Sequence, residues 1–246
     1  MIGKNKKNIS DGIKIIYEDK NILAVNKPAG LVVHSDGKTK EKTLADWILK
    51  NYPEIEDVGE PIVLNTGEII KRPGIVHRLD RETSGILLVA KNQKTFLFLK
   101  EQFQGRDIQK SYRAFVYGEM KDDKGVIDRP IGRSAKDFRM WSAQRGARGA
   151  MREAVTEYKV LERGNGFSFV EVNPKTGRTH QIRVHFKAIN HPVVNDSLYA
   201  PKRDKALGFE RLALHSYSIE FSLSKGKKMK LEAELPQDFK KALKLI

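Results

Sequence analysis

Short strand-like segments joined by tight turns recur along this sequence and restrict the folds that it can adopt. The paired segments are residues 13–17 with 22–26, 155–161 with 167–172, and 212–223 with 229–235. Strands that follow one another through tight turns pair antiparallel. The pattern therefore predicts an α+β fold on a mixed, mainly antiparallel sheet, and it argues against alternating βαβ units.

Helical spacing of apolar residues is confined to a few segments between these strands. Thr43 is placed to cap a helix over residues 44–51, whose apolar side chains form one stripe. The same spacing predicts helices over residues 93–104 and 179–189. Asp238 is placed to cap a short final helix. The helices are therefore few and flank the sheet.

The domain organisation follows from the absence of an internal repeat or a long linker in the sequence. A chain of 246 residues is long enough for one large domain with a sizeable core. We expect a basic tail over residues 1–12 and one mixed domain over residues 13–246. The sequence shows neither an apolar run of bilayer length nor a secretory signal, so we expect a cytoplasmic protein without a membrane partner.

The charge balance is strongly basic, with 46 Lys and Arg residues against 31 Asp and Glu residues and a net charge of +15. An excess of this size predicts a polyanionic partner, most often a nucleic acid. The chain has no cysteine, which excludes a disulfide scaffold, a zinc ribbon, an iron–sulfur site and thiol catalysis. Charge alone does not separate RNA from DNA.

The basic residues are concentrated in clusters. Residues 129–152 hold seven basic residues and one acid, Asp137, with Met140 and Trp141 among them. We interpret this segment as a glycine-containing, arginine-rich loop that binds phosphates and stacks on bases. The alternative for any such cluster is a solvated surface, and we favour that alternative for the lysines of residues 225–230.

Residues 73–85 are unusual for a plain core element. Between a Pro-Gly and a Ser-Gly pair, this segment holds His77, Arg78, Asp80, Arg81 and Glu82, and a buried strand is predicted directly after it. Polar loops at the mouth of a strand commonly carry functional residues. The alternative is a turn whose charges pair with one another.

Residues 77–85, HRLDRETSG, resemble the HRLDxxTSG signature of the RluA-type pseudouridine synthases. Further blocks resemble the same family in the same order: residues 26–34, 110–116, 174–185, 195–199 and 212–216. In the block of residues 195–199, Asn195 stands where the family usually has glycine. The resemblance implies an isomerase that converts uridine to pseudouridine in RNA without a cofactor or a metal. It also implies a single catalytic domain of that family's fold.

The resemblance also implies roles for three residues. Asp80 is the catalytic carboxylate and acts as a nucleophile or a base at the glycosidic centre. Arg183 is the cation beside Asp80 that keeps the carboxylate ionised. Tyr112 stacks on uracil with its hydroxyl group near the reacting atoms. The alternatives are a phosphate-binding Arg183, a core Tyr112, and a second catalytic carboxylate at Glu82, which would indicate a hydrolase.

Residues that bind RNA form a second implied set. A uridine in folded RNA must leave its stack before its glycosidic bond is accessible. By resemblance, Arg78 fills the space that the flipped base leaves. Loop shaping and helix capping are alternatives to direct contact for several of the remaining members, which are His77, Arg81, Thr83, Arg133, Arg139, Arg178 and His180.

The identity of the RNA is open at this point. Many relatives carry an S4-type RNA-binding module before the catalytic domain, and we expect this chain to lack it because the first predicted strand begins at residue 13. Recognition by the catalytic domain alone is compatible with rRNA or tRNA. A catalytically silent RNA-binding protein of the same fold is the alternative function. We expect a monomer that needs no obligatory protein partner.

Overall fold

The computed structural model describes residues 12–37, 41–144, 147–224 and 226–246. The expected basic tail therefore lies outside the described residues except for Gly12, and so do Arg145 and Lys225 of the basic clusters. The chain divides into two compact units. The first unit consists of residues 1–108 and 220–233, and the second of residues 109–219 and 234–246. The expected boundary between a tail and a single domain remains a prediction.

The first unit contains an antiparallel sheet and two helices. In this sheet β2 lies between β1 and β5 and pairs antiparallel with both. A two-stranded hairpin, β3 with β4, lies between α1 and β5. The elements are β1 (Lys14–Glu18), β2 (Ile22–Lys27), α1 (Leu44–Asn51), β3 (Ile62–Val63), β4 (Ile69–Ile70), β5 (Ser84–Ala90), α2 (Gln93–Gly105) and, from the later segment, β14 (Lys227–Glu232).

Local side-chain hydrogen bonds explain where these elements begin. Asp19 follows β1 and accepts hydrogen bonds from the backbone N–H groups of Asn21 and Ile22, which closes the turn to β2. Thr43 and Asp46 form a reciprocal capping box at the start of α1, and this confirms the predicted cap. Asn92 caps α2 through the backbone N–H of Thr95.

The second unit is built on a sheet with the strand order β13, β6, β12, β11, β7. Strand β12 pairs antiparallel with both β6 and β11. Strand β13 supplies its residues 214–219 to this unit, while its remaining residues belong to the first unit. The elements are β6 (Gln109–Tyr117), β7 (Lys124–Asp128), β11 (Val155–Gly164), β12 (Phe167–Pro174), α3 (Gln181–Ala188), β13 (Leu214–Ser224) and α4 (Gln237–Ala242).

The core of the second unit is aromatic. Phe115 lies at its centre and contacts the rings of Phe169, Phe209 and Phe239, with ring centroids 4.8, 5.5 and 5.5 Å from its own. Phe239 comes from α4, so the final helix packs onto the sheet through this cluster. Burial of such large rings is a major source of stability. Antiparallel strands with flanking helices in both units confirm the predicted α+β class.

The arginine-rich segment differs from its predicted form. Instead of a loop, it folds into a three-stranded antiparallel sheet with the strand order β10, β8, β9. These strands are β8 (Ile131–Arg133), β9 (Trp141–Ser142) and β10 (Arg148–Arg152). Strands this short, rich in Gly and Arg, leave no apolar alternation that a sequence reading detects. We call this structure the basic sheet.

The predicted helix over residues 179–189 spans Gln181–Ala188 in the structure. His180 precedes it with a left-handed backbone, at φ 57°, and therefore ends the loop rather than extending the helix. The predicted apolar stripe is present, since Ile182 and Phe186 are buried against the core of the second unit. In the described part of the chain, no helix is long and apolar enough to cross a membrane.

Candidate functional site

The loop that carries Asp80 is anchored on both sides of this residue. Leu79 and Thr83 are buried, whereas Asp80 itself is half-buried. The backbone N–H of Thr83 donates to the carbonyl of Asp80 at 3.1 Å, which closes a turn around the carboxyl-bearing residue. The burial of Thr83 supports the loop-shaping role over direct contact with RNA. The anchored turn fixes the backbone that carries the Asp80 carboxyl group.

The approach to this loop requires glycine at position 74. Gly74 has φ 61°, and a Cβ atom there would lie 2.1 Å from the carbonyl oxygen of Ala90. The backbone N–H of Ala90 donates to the Gly74 carbonyl at 2.8 Å, so the start of the loop is bound directly to the end of β5. The Pro-Gly pair that marks the segment in the sequence therefore has a structural cause.

Lys27, the last residue of β2, supports the Asp80 loop. It is not among the site residues predicted from the sequence. Its side chain has an exposed fraction of 0%. Its ammonium group donates to the carbonyls of Pro28 at 3.0 Å, Leu31 at 2.8 Å and Arg81 at 3.1 Å. Because Arg81 directly follows Asp80, Lys27 joins the Asp80 loop to the turn after β2. The sequence signal that could have identified Lys27 is its position at the end of an apolar strand.

His77 packs inside the first unit. Its ring stacks on Phe103 with centroids 4.7 Å apart, and its Nε2 atom accepts a hydrogen bond from the backbone N–H of Leu88 at 2.9 Å. An accepting Nε2 carries no proton, so the ring is neutral in this arrangement. His77 therefore fixes the loop against β5 and α2, which supports its loop-shaping role.

The exposed charges of the Asp80 loop divide into two kinds. Arg81 pairs with Glu41, outside the loop, at 2.5 Å. It also lies 3.8 Å from Glu82, so some charge is paired within the loop, as in the alternative of a turn with paired charges. Arg78 is exposed. Burial lowers the pKa of His34, and the nearby positive charge of Arg78 lowers it further. The loop therefore presents a basic edge beside a neutral histidine.

Arg183 is held by Asp196 in the second unit. Its Nε and Nη2 atoms each lie 2.8 Å from a carboxylate oxygen of Asp196, which is a two-point contact. Asp196 has an exposed fraction of 1% and also accepts the backbone N–H groups of Leu198 and Tyr199. The Arg183 guanidinium further lies over the ring of Tyr199, at 4.9 Å from its centroid. Its orientation is therefore fixed.

Asp196 is a residue that the sequence reading placed in a motif block but did not assign to the site. Its position depends on Asn195, which adopts φ 57°. Asparagine is one of the few residues that tolerate this left-handed backbone, so it takes the place of the family's usual glycine. Asp80 lies in the first unit and Arg183 in the second, and their expected pairing remains a prediction.

Tyr112 lies on β6 opposite Val172 of β12, half-buried, and packs against the core of the second unit. Lys110, two residues earlier, projects from the same face of the strand. Burial lowers the pKa of the Lys110 ammonium group. The strand thus presents a tyrosine and a lysine side by side on one face.

A buried chain of hydrogen bonds fixes α3, the helix that carries Arg183. The Gln181 amide donates to Thr156 Oγ1 at 2.9 Å, and Thr156 Oγ1 lies 2.8 Å from His185 Nδ1. His185 Nε2 lies 2.9 Å from the carbonyl of Arg129, which can only accept. The proton therefore sits on Nε2, and the Thr156 hydroxyl donates to Nδ1. Burial lowers the pKa of His185, in keeping with this neutral ring.

The basic sheet carries two of the residues predicted to bind RNA. Arg133 lies over the Trp141 ring, with its guanidinium carbon 4.3 Å from the centroid. Arg139 forms a two-point ion pair with Asp137, which holds the pKa of this carboxyl group below its usual value. The two arginines therefore differ, because the charge of Arg139 is largely neutralised within the turn.

The remaining two predicted RNA-binding residues, Arg178 and His180, lie next to strands of the basic sheet. Arg178 donates through Nε to the carbonyl of Glu153 at 2.9 Å, directly after β10. His180 Nδ1 contacts the Tyr199 hydroxyl at 2.9 Å, and this hydroxyl also accepts the backbone N–H of Trp141 at 3.0 Å. Within the described ranges, no group of three or more His, Asp and Glu side chains has the geometry of a metal site.

Comparison with known proteins supports one family throughout. Residues 21–188 match the RNA pseudouridylate synthase family. The chain is 38% identical over 227 residues to the uncharacterized RNA pseudouridine synthase YlyB of Bacillus subtilis, covering 92% of this chain and 70% of that protein. It is 37% identical to the ribosomal large subunit pseudouridine synthase D of Borreliella burgdorferi, covering 92% of this chain and 66% of that protein.

The fold agrees with these sequence matches. The structure of human RNA pseudouridylate synthase domain containing 1 superposes with a TM-score of 0.71 at 26% identity, and the match covers 92% of this chain and 85% of that one. The resemblance drawn from the motif blocks is confirmed, and the chain belongs to the RNA pseudouridylate synthase family.

Proposed function

We propose that the protein isomerises uridine to pseudouridine in RNA and that Asp80 is the catalytic carboxylate. In this reaction the bond between N1 of uracil and C1′ of ribose breaks, the base turns, and C5 bonds to the same C1′. The proton on C5 is lost to solvent and N1 gains a proton, so the reaction needs no redox partner. Asp80 acts on the sugar as a nucleophile or on the reacting base and sugar as a proton acceptor.

The observation that carries the proposal is the anchored turn at Asp80. The sequence of this turn is the family's signature, and buried Leu79 and Thr83 hold it in place. Lys27 binds the carbonyl of the residue that follows the carboxylate. Several independent contacts that fix one short polar loop are expected where a reacting group must be held accurately.

Tyr112 and Arg183 complete the proposed catalytic set. Tyr112 supplies an aromatic face and a hydroxyl group for the uracil. Arg183 supplies a permanent positive charge that favours an ionised Asp80. The two-point contact with Asp196 supports this role, because a guanidinium with a fixed orientation loses little freedom when it engages a further partner.

For the substrate, we propose ribosomal RNA, with tRNA as the alternative. The support is the Borreliella burgdorferi relative, which is named as a ribosomal large subunit pseudouridine synthase. The basic sheet and Arg78 supply the charge for binding the RNA backbone. We place the protein in the cytoplasm as a monomer that works without an obligatory protein partner. Pseudouridine mapping in RNA from cells with and without the gene identifies the target.

Release of tritium from RNA that contains 5-tritiated uridine tests the proposed reaction. Label reaches water only when C5 becomes the carbon bound to ribose. We expect release from rRNA by the unmodified protein and none by Asp80→Asn, with RNA affinity retained. The matched control is Asp57→Asn, since Asp57 is an exposed aspartate of the same unit and should keep full release. RNA binding without any release would instead support the silent RNA-binding alternative.

A further inference from the structure

Phe138 lies at the tip of the β8–β9 hairpin and is unusually exposed. Its exposed fraction is 82%, the largest among the large apolar side chains in the described parts of the chain. Single exposed apolar residues are common on protein surfaces and carry no function by themselves. Phe138 differs because of the rigid turn that presents it and the charges around it.

The turn is held by several hydrogen bonds, so the ring is displayed by an ordered backbone. The backbone N–H of Ser134 donates to the carbonyl of Met140 at 3.0 Å, and that of Met140 donates to Asp137 at 3.0 Å. Arg133 donates from its guanidinium to the carbonyl of Phe138 itself at 3.1 Å. The backbone of Phe138 itself is thus held in place by a hydrogen bond.

The charges in the same turn suit a polyanion. Arg133 and Lys136 are both exposed in the segment that leads to Phe138, while the one acid of the turn, Asp137, is paired with Arg139. One face of the other nearby aromatic ring, Trp141, is already covered by the Arg133 guanidinium. Phe138 is therefore the exposed aromatic ring of this tip, and exposed basic residues precede it in the same turn.

We propose that Phe138 stacks on an unpaired base of the substrate RNA while Lys136 and Arg133 contact neighbouring phosphates. This inference rests on the proposed function, since it names how the substrate of the same enzyme is bound. Aromatic rings stack on bases of any sequence, but only where the base face is accessible, as in a loop or a bulge. The tip would therefore select stem-loop RNA over continuous duplex.

The test compares two RNA probes, a stem-loop with an unpaired loop and a continuous duplex of the same composition. Stacking contributes about 1–3 kcal/mol per base, so we expect Phe138→Ala to weaken stem-loop binding roughly 5- to 150-fold. Duplex binding should be unchanged, and Phe138→Trp should restore the stem-loop affinity. The matched control is Val126→Ala, a 63% exposed apolar residue of the same unit that should bind like the unmodified protein.

Salt dependence separates stacking from charge. Phe138→Ala should leave the salt slope of binding unchanged, whereas Lys136→Ala should reduce it by about one unit. Equal affinity of the native protein and Phe138→Ala for the stem-loop would overturn the proposal. Equal losses on both probes, or no rescue by tryptophan, would also overturn it. A native protein that binds RNA but releases no tritium would contradict only the proposed reaction, because these measurements depend on binding alone.

Discussion

The carboxylate of Asp196 binds the Arg183 guanidinium through both oxygen atoms, at 2.8 Å each, in a nearly dry environment. The two residues lie on α3 and on the turn that follows it, and Asp196 also accepts two backbone N–H groups of this turn. A carboxylate with four such bonds has little capacity left for direct chemistry. Its function is therefore to position the arginine.

Asp196→Asn should lower turnover much more than RNA affinity. The amide nitrogen of asparagine would direct a donor at the guanidinium or at a backbone N–H, so Arg183 would lose its two-point contact. A misplaced catalytic group commonly reduces turnover about 100-fold. We expect a fall of this order in tritium release, with the Kd for RNA within about twofold of the native value. Asp123→Asn, at an exposed aspartate of the same unit, is the matched control.

The same variant should also be less stable, because the buried Arg183 would lose its charge partner. Removal of one member of a buried ion pair costs about 3–5 kcal/mol. Urea unfolding measures this loss. An unfolding midpoint and a turnover that both match the native protein would contradict the positioning role of Asp196.

Lys27→Met should loosen the Asp80 loop. The change removes the donor from the carbonyls of Pro28, Leu31 and Arg81, although the Arg81 carbonyl keeps the N–H of Gly30 as a donor. A buried acceptor left unsatisfied costs about 1–3 kcal/mol. We expect a lower unfolding midpoint, reduced tritium release, and faster hydrogen exchange at Gly30, whose N–H donates to the Arg81 carbonyl. Lys94→Met, on the exposed face of α2, should leave all three measurements unchanged. Unaltered exchange at Gly30 would refute this role of Lys27.

Protein stability should fall as the pH drops below about 6.5. Burial lowers the pKa of His185 and of His34 from the usual histidine value of 6.5, so the unfolded chain takes up these protons before the folded protein does. The stability that the neutral rings contribute is therefore complete above pH 6.5 and is lost as the pH falls toward their folded-state pKa values. Urea midpoints measured across this range should show the decline.

His185→Gln and His34→Gln should each reduce this dependence on pH. Arg129 and Asp128 lie near His185 and act on its pKa in opposite directions, so burial remains the main cause of its shift. The double variant should have the flattest profile. A double variant whose midpoints decline as steeply as those of the native protein would show that other groups cause the pH dependence.

Arg148→Gln and Arg152→Gln should weaken RNA binding without altering turnover at saturating RNA. Both residues are exposed on β10, and each phosphate contact that is removed should reduce the salt slope of binding by about one unit. The control is Lys159→Gln, at an exposed basic residue on β11 of the same unit. A salt slope that does not change in either arginine variant would mean that this strand does not bind the RNA backbone.

Much of the fold was predictable because its signals are local. The Gly-Asn-Gly turn between β11 and β12 and the capping box at Thr43 both depend on residues adjacent in sequence. The basic sheet was read as a loop because strands of two to five residues rich in Gly and Arg carry no apolar period. A local sequence pattern thus predicts a helix or strand well only when the element is long enough for its apolar period to repeat.

The candidate site was predictable through its motif, but its support was not. Asp80, Tyr112 and Arg183 lie in recognisable blocks, whereas the roles of Lys27 and Asp196 depend on burial and on contacts between distant segments. A lysine is rarely buried, so its residue type argues against the position that Lys27 occupies. The reacting residues are therefore easier to predict from the sequence than the residues that hold them in place.

The composition of the first unit has a consequence for how the protein is made. Strand β14 belongs to this unit, yet it lies more than a hundred residues beyond Ile108 in the chain. Because a ribosome synthesises a chain from its N-terminus, nearly all of the second unit must be translated before the first unit can acquire its last strand. The Asp80 loop is therefore synthesised early, but the unit that contains it stays incomplete until translation is almost finished.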